Sequence, residues 1–149
     1  MAIEYDLTLA GDTPVNRVAE RALPDPEQRP TGVPQFLSTN LDEQYGFAVT
    51  VVGGSNRYID AESDSGTWEW EPQDYVLVGF RLDKSADREW AVANMLTIVR
   101  RVLATGSEDT ALVINGDLLL LARFDGKLIK HNRDRWWSSY PAADQLIPG

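Results

Sequence analysis

The residues able to do chemistry are few and unevenly spread. The chain of 149 residues has one histidine, His131, and no cysteine. Asn132 and Asp134 lie close to His131, but without a thiol no Cys–His nucleophile can form. A zinc site built from His and Cys is excluded by count. A lone histidine at the end of a strand is ordinarily a surface or hydrogen-bonded residue rather than a catalyst. Gly53-Gly54-Ser55-Asn56 lacks the Gly-Lys-Ser/Thr that follows in a phosphate-binding loop, and Asn115-Gly116-Asp117 is explained by turn geometry. What remains is carboxylate chemistry. Arg57 to Asp74 holds Asp60, Glu62, Asp64, Glu69, Glu71 and Asp74 against Arg57 alone, a local charge of −5 out of a total of −9. Such a cluster can recognise a basic protein, hold a divalent ion through oxygen ligands, pair with the chain's own cations, or supply an acid and a base such as Asp60 and Glu71.

These carboxylates need strands to position them. With a turn centred on Ser65-Gly66, Glu62 faces Glu69 and Asp60 faces Glu71. Four carboxylates then share one face, with Ile59, Ala61, Trp68 and Trp70 on the other. Like charges directly opposite cost a sheet up to about 1 kcal/mol per pair, so this ladder is expected to meet cations. The same counting through a turn at Gly53-Gly54 puts Phe47 and Val49 on the acidic face. Either that turn bulges or the ladder is out of register.

The rest of the chain supplies the frame. Ile3, Tyr5, Leu7 and Leu9 alternate with polar residues, the period of a half-buried strand. Thr13-Pro14 signals a helix start, and Val15, Val18, Ala19 and Ala22 form its apolar stripe. The prolines 24, 26 and 30 make Leu23 to Pro34 a surface loop. Phe47 to Val52, Tyr58 to Ser63, Thr67 to Glu71 and Tyr75 to Leu82 read as strands, with Val76, Val78, Phe80 and Leu82 on the core side. Val92, Met95, Leu96, Val99, Val102 and Leu103 mark one long helix from near Ser85 or Asp87 to about Thr105, stopped by Gly106. Asn115-Gly116 and Asp125-Gly126 between apolar runs predict a three-stranded meander from Ala111 to His131. The expected fold is α+β, in the order β-α-β-β-β-α-β-β-β, an antiparallel sheet of about 6–7 strands with two helices on one face.

Composition bounds the rest. With 43% hydrophobic and 25% charged residues the chain is not disordered, and its length fits a single domain spanning 1–149. A charge of −9 argues against nucleic acid as a partner. Lys127, Lys130, Arg133 and Arg135, followed by Trp136-Trp137 and Tyr140, form a short basic and aromatic tail. Its tryptophans are expected to close the core and its cations to pair with the chain's own acids. The start of the chain lacks the basic, apolar character of a signal peptide. The run Leu118 to Ala122 is far short of the roughly 20 residues that span a bilayer. A cysteine-free chain suits a reducing compartment, so a cytoplasmic protein with no membrane association is expected.

Several stretches resemble one family: Met1-Ala-Ile-Glu-Tyr-Asp-Leu-Thr-Leu, Trp68-Glu69-Trp70-Glu71-Pro72, Asn94-Met95-Leu96-Thr97-Ile98-Val99-Arg100-Arg101-Val102-Leu103, Asn115-Gly116-Asp117-Leu118-Leu119-Leu120-Leu121 and Trp136-Trp137. Together they are similar to the Sit-type immunity proteins of bacterial toxin–immunity systems. The resemblance implies a small cytoplasmic protein that blocks a cognate toxin, with no catalytic residues and no cofactor. An acidic inhibitor suits a basic toxin, since opposed potentials speed encounter. Asp60, Glu62, Asp64, Trp68, Glu69, Trp70, Glu71 and Asp74 are then the expected partner-binding residues. Two other readings stand beside it: a small-molecule or divalent-metal-binding domain, including a carboxylate enzyme, and a homodimer joined through an edge strand. A concave pocket with carboxylates about 5–10 Å apart would favour the former. A flat or convex acidic face favours a protein partner.

Overall fold

The computed structural model describes residues 2–149. Its centre is the first strand, β1 (Glu4–Ala10), whose Tyr5, Leu7 and Leu9 are buried on one face as the alternation requires. Helix α1 (Val15–Ala22) lays Val15, Val18, Ala19 and Ala22 on that face. It starts without the expected cap: Pro14 takes the N-cap position, and the Thr13 hydroxyl instead donates to Glu108 Oε2 at 3.2 Å. After a 3-10 turn at Pro26–Gln28 come strands β2 (Thr31–Val33) and β3 (Phe36–Leu41), then a single-turn helix α2 (Asp42–Tyr45). Strand β4 (Phe47–Ser55) runs straight through Gly53 and Gly54, where the sequence reading places a turn.

The remaining elements are β5 (Ile59–Ser63), β6 (Gly66–Trp70), β7 (Asp74–Leu82), α3 (Arg88–Ala104), β8 (Thr110–Ile114), β9 (Leu118–Phe124), β10 (Lys127–Lys130), a 3-10 turn (Trp137–Ser139) and α4 (Pro141–Asp144). The architecture is α+β, and among the described residues it comprises four helices and one sheet of ten strands, more than the 6–7 expected. The sheet runs β2-β3-β4-β7-β1-β8-β9-β5-β6, with β10 pairing β9. Both longer helices pack on one face. Helix α3 contributes Val92, Met95, Leu96, Val99 and Val102, all essentially inaccessible. Asp87 caps it, its Oδ2 accepting from Trp90 N–H at 3.0 Å. Each Leu or Val buried here contributes about 1.5–3 kcal/mol.

The meander β8-β9-β10 is present, and both of its turns take left-handed residues: Asn115 and Gly116 at φ 52 and 72, Asp125 and Gly126 at φ 52 and 78. The tail closes the core as its aromatics suggest. Trp137 Nε1 donates to Leu120 O at 2.9 Å, and Lys130 Nζ lies 4.3 Å from the Trp137 ring centre while donating to Asp144 Oδ1 at 2.6 Å.

The feature that organises the opposite face is one long ribbon. β4 pairs β7 from Phe47–Leu82 to Ser55–Asp74, and β5 pairs β6 from Ile59–Trp70 to Ser63–Gly66. The register is the same in both halves, bridged by Asn56 N–H to Gln73 O at 2.5 Å and Arg57 N–H to Pro72 O at 3.2 Å. Asn56 is left-handed at φ 58 and marks the kink. Beyond it the distal half, an arm made of β5 and β6, lies over the back of β8 and β9. Its Ile59 and Ala61 pack with Ala111, Val113, Leu119 and Ala122, a second small core on the side away from the helices. Only one ladder contact, Glu62–Leu118, joins the arm edge-on to β9.

Candidate functional site

The arm's two faces are as the alternation predicts, but its register is not. Asp60 faces Glu69, Glu62 faces Thr67, and Ser63 faces Gly66, so the turn is Asp64-Ser65 and the expected pairing is displaced by two residues. An even displacement keeps every side chain on its face and leaves one like-charge pair instead of two. The cause is long-range: the ladder inherited from β4 and β7 sets the register. The tip then closes locally, with the Ser63 hydroxyl donating to Gly66 O at 2.8 Å and accepting from Ser65 N–H at 3.2 Å. Gly66, at φ 109, takes a backbone shape that side chains disfavour. The dilemma over Phe47 and Val49 also resolves. Neither turn nor bulge exists at Gly53-Gly54: β4 runs on to Ser55 against β7 and does not fold back on β5, so Phe47 and Val49 share no pairing with the arm's carboxylates.

Each carboxylate can now be placed. Asp60, Glu62, Glu69 and Glu71 are exposed, whereas Trp68 and Trp70 are half-buried beneath the arm. The two indoles pack on Phe124, with ring centres 6.1 and 5.1 Å away. The tryptophans and the carboxylates therefore do not share a surface. Glu62 pairs with Arg135 at 3.2 Å. Asp64 Oδ1 accepts from Asn132 N–H at 2.8 Å, and its Oδ2 lies 3.8 Å from His131 Nδ1. Glu69 Oε1 accepts from the Tyr58 hydroxyl at 2.7 Å, and Asp74 Oδ1 from the Ser55 hydroxyl at 3.2 Å. Asp60 and Glu71 have no ion-pair partner among the described residues. The acidic arm and the basic tail thus meet only at the tip. The exposed Glu62–Arg135 pair adds at most about 1 kcal/mol. The hydrogen bond to Glu69 raises the Tyr58 hydroxyl to about 12, with partial desolvation and the neighbouring carboxylates adding to it.

Asn132, first noticed beside the lone histidine, is a clamp. It is 4% exposed and left-handed at φ 58. Its Nδ2 donates to Glu62 O at 3.0 Å and to Leu119 O at 2.7 Å, tying the arm's tip to the sheet. At the root, Arg57 reaches Asp6 at 3.8 Å and lies 5.6 Å from the Tyr75 ring centre. Burial raises the Asp6 carboxyl, and the long contact with Arg57 only partly opposes it. Asp6, Thr8, Arg57, Tyr58, Ile59, Asp60, Val113 and Gly116 enclose a hollow of about 90 Å³. Glu71 does not line it, so Asp60 and Glu71 do not share this cavity. No group of three or more His, Asp or Glu close enough to hold a metal ion occurs among the described residues. No described helix is long and apolar enough to cross a membrane.

A second polar cluster had no local signal in the sequence. Arg21 forks onto Glu108 at 2.5 and 3.0 Å from α1, and Arg123 of β9 donates to Glu108 O at 2.9 Å and Leu103 O at 2.6 Å. Burial alone would push the Glu108 carboxyl up. The hydrogen bonds from Arg21 and Thr13 and the Arg21 charge outweigh it, and the net shift is downward. Gly106 lies beyond α3, whose C-cap is Thr105, and its lack of a side chain makes room for this cluster: a Cβ there would overlap the Arg21 guanidinium and the Glu108 carboxylate.

A ten-stranded sheet with helices on one face, whose own strands β5 and β6 fold over the other face as an acidic arm, defines an α+β protein. The chain belongs to the SitI3-like family, whose profile matches residues 3–141. Comparison with curated proteins and with solved structures gave no match.

Proposed function

We propose that this chain is a cytoplasmic immunity protein that binds a cognate toxin protein and blocks it without catalysis or a cofactor, using the outward face of the arm. Membership of the SitI3-like family supports the immunity role. The observation that carries the choice of surface is the set of outward carboxylates, of which Asp60 and Glu71 lack a cationic partner among the described residues. A folded protein gains little stability by lining up unpaired carboxylates, whereas a basic partner gains both encounter rate and specificity from them. Glu62, Asp64 and Asp74 extend the same acidic surface. Trp68 and Trp70 serve it from beneath, as packing that stiffens the arm.

The test is protection followed by binding. Co-expression with its cognate toxin should restore the growth of cells that the toxin alone arrests. Charge reversal at Glu69 and Glu71 should lower the association rate about tenfold at low salt and flatten its salt dependence. A reversed variant that binds with unchanged rate and unchanged salt dependence would show that the toxin docks on another surface.

A further inference from the structure

One row of side chains crosses the back of the sheet from its edge to its centre. Val33 of β2 faces Phe36 of β3, Phe36 faces Val52 of β4, and Val52 faces Leu77 of β7. Leu77 faces Thr8 of β1, and Thr8 faces Ala111 of β8. The arm lies over the inner end, where Thr8 and Ala111 are each 1% exposed. The outer end is bare: Val33 is 65% and Phe36 50% exposed, and Val52 and Leu77 are half-buried. The adjacent row of Thr31, Ser38, Thr50 and Gly79 is uncharged until it reaches Asp6 of β1. The apolar row therefore runs from beneath the arm into solvent, and contiguous exposed apolar surface of this kind marks a contact site.

The arm borders this floor with charge. At its root Arg57 is offset by Asp6 at 3.8 Å. Beyond it Asp60 stands on the outward face, and the Tyr58 hydroxyl, on a residue 53% exposed, holds the Glu69 carboxylate at 2.7 Å, so the step is acidic on balance. Charge decides what can sit here. Two copies apposed through this face would bring two such steps together, on chains of net charge −9 each. A partner with an apolar patch beside basic residues satisfies floor and step at once.

We infer that the cognate toxin seats an apolar patch on Val33, Phe36, Val52 and Leu77 while its basic side chains engage Asp60 and Glu69. This rests on the neutralisation reading above and extends its surface from the arm to the sheet. Phe36 is the anchor, since a ring standing half-free on a strand can be fully desolvated by a partner without cost to its own fold.

The experiment is calorimetric titration of the purified chain with the purified toxin against which it protects cells, at two salt concentrations. Phe36→Asp should weaken binding by at least about 30-fold and leave the thermal midpoint in place. Glu69→Lys should weaken binding and flatten its salt dependence. Val33→Asp, at an exposed edge position, repeats the test should Phe36→Asp disturb folding. Affinity within about twofold of the parent for folded Phe36→Asp or Val33→Asp, with Glu69→Lys still impaired, overturns the floor and leaves neutralisation intact. No binding by the unaltered chain overturns both. A concentration-dependent dimer that Phe36→Asp abolishes assigns the floor to a second copy and overturns the inference.

Discussion

Replacing Asn132 should loosen the arm by an amount the structure allows to be divided. The side chain makes two hydrogen bonds, to Glu62 O and Leu119 O, in a position that is 4% exposed. Losing both costs about 1–3 kcal/mol. The backbone at φ 58 adds a second component, because a β-carbon in the left-handed region costs roughly 1–2 kcal/mol while glycine is free of it. Asn132→Ala keeps the β-carbon and therefore reports the hydrogen bonds, about 1–3 kcal/mol. Asn132→Gly loses the same bonds but relieves the left-handed backbone, and should cost about 1 kcal/mol less. With a urea slope of about 2 kcal/mol/M, the midpoint should fall by about 0.5–1.5 M for alanine and by less for glycine. Amide exchange supplies the spatial half of the assay: Glu62 N–H, bonded to Asp117 O at 2.8 Å, should lose more protection than the amides of β1 and β7, which speed up only to the lowered global limit. Equal midpoints for parent and alanine variant, with unaltered exchange at Glu62, would refute the idea that Asn132 clamps the arm.

Other expectations concern the buried charges. Glu108→Gln should cost about 3 kcal/mol at pH 7 by leaving Arg21 and Arg123 without their carboxylate. Because the folded Glu108 carboxyl lies below its ordinary 4.5, its contribution is fully present above that value and is lost as pH falls through the folded one. The difference between parent and variant, measured by urea titration, should therefore shrink only below about pH 4.5, and a constant difference down to pH 3 would count against the ion pair. Asp6 behaves in the opposite sense. Burial raises its carboxyl, so the charged form is the disfavoured one and the parent should gain stability as pH falls through the raised value. Asp6→Asn should remove that gain while changing stability at pH 7 by no more than about 1 kcal/mol; a variant with the parent's acid-side slope would place the titration elsewhere.

Local signals were read well and distant ones poorly. The stripe of α3 and the Asn-Gly and Asp-Gly turns depend on neighbours three or four residues away, and each sits where the residue types put it. Strands β2 and β3 escaped notice because Thr39 and Asn40 blur the alternation of Leu37 and Leu41, and because nearby prolines signal a loop. The two faces of the arm were legible from alternation alone. Its register was not, since the choice between Ser65-Gly66 and Asp64-Ser65 is made by pairing that begins at Phe47 and Leu82. The opposed charges of arm and tail were visible in composition, but only the fold shows that they meet at Glu62 and Arg135. The Arg21–Glu108 pair spans 87 positions and leaves no pattern in either neighbourhood.

The shared ladder of body and arm also limits how this molecule can vary. Lengthening each strand of the arm by one residue would turn Asp60 and Glu69 down onto Ala111 and lift Trp68 and Trp70 into water. Lengthening each by two would restore the faces but carry the tip about 7 Å past Asn132. Insertions here must therefore come in matched pairs on both strands, and even then they forfeit the clamp. The loop from Leu23 to Pro30, tied into no ladder, is free of that arithmetic.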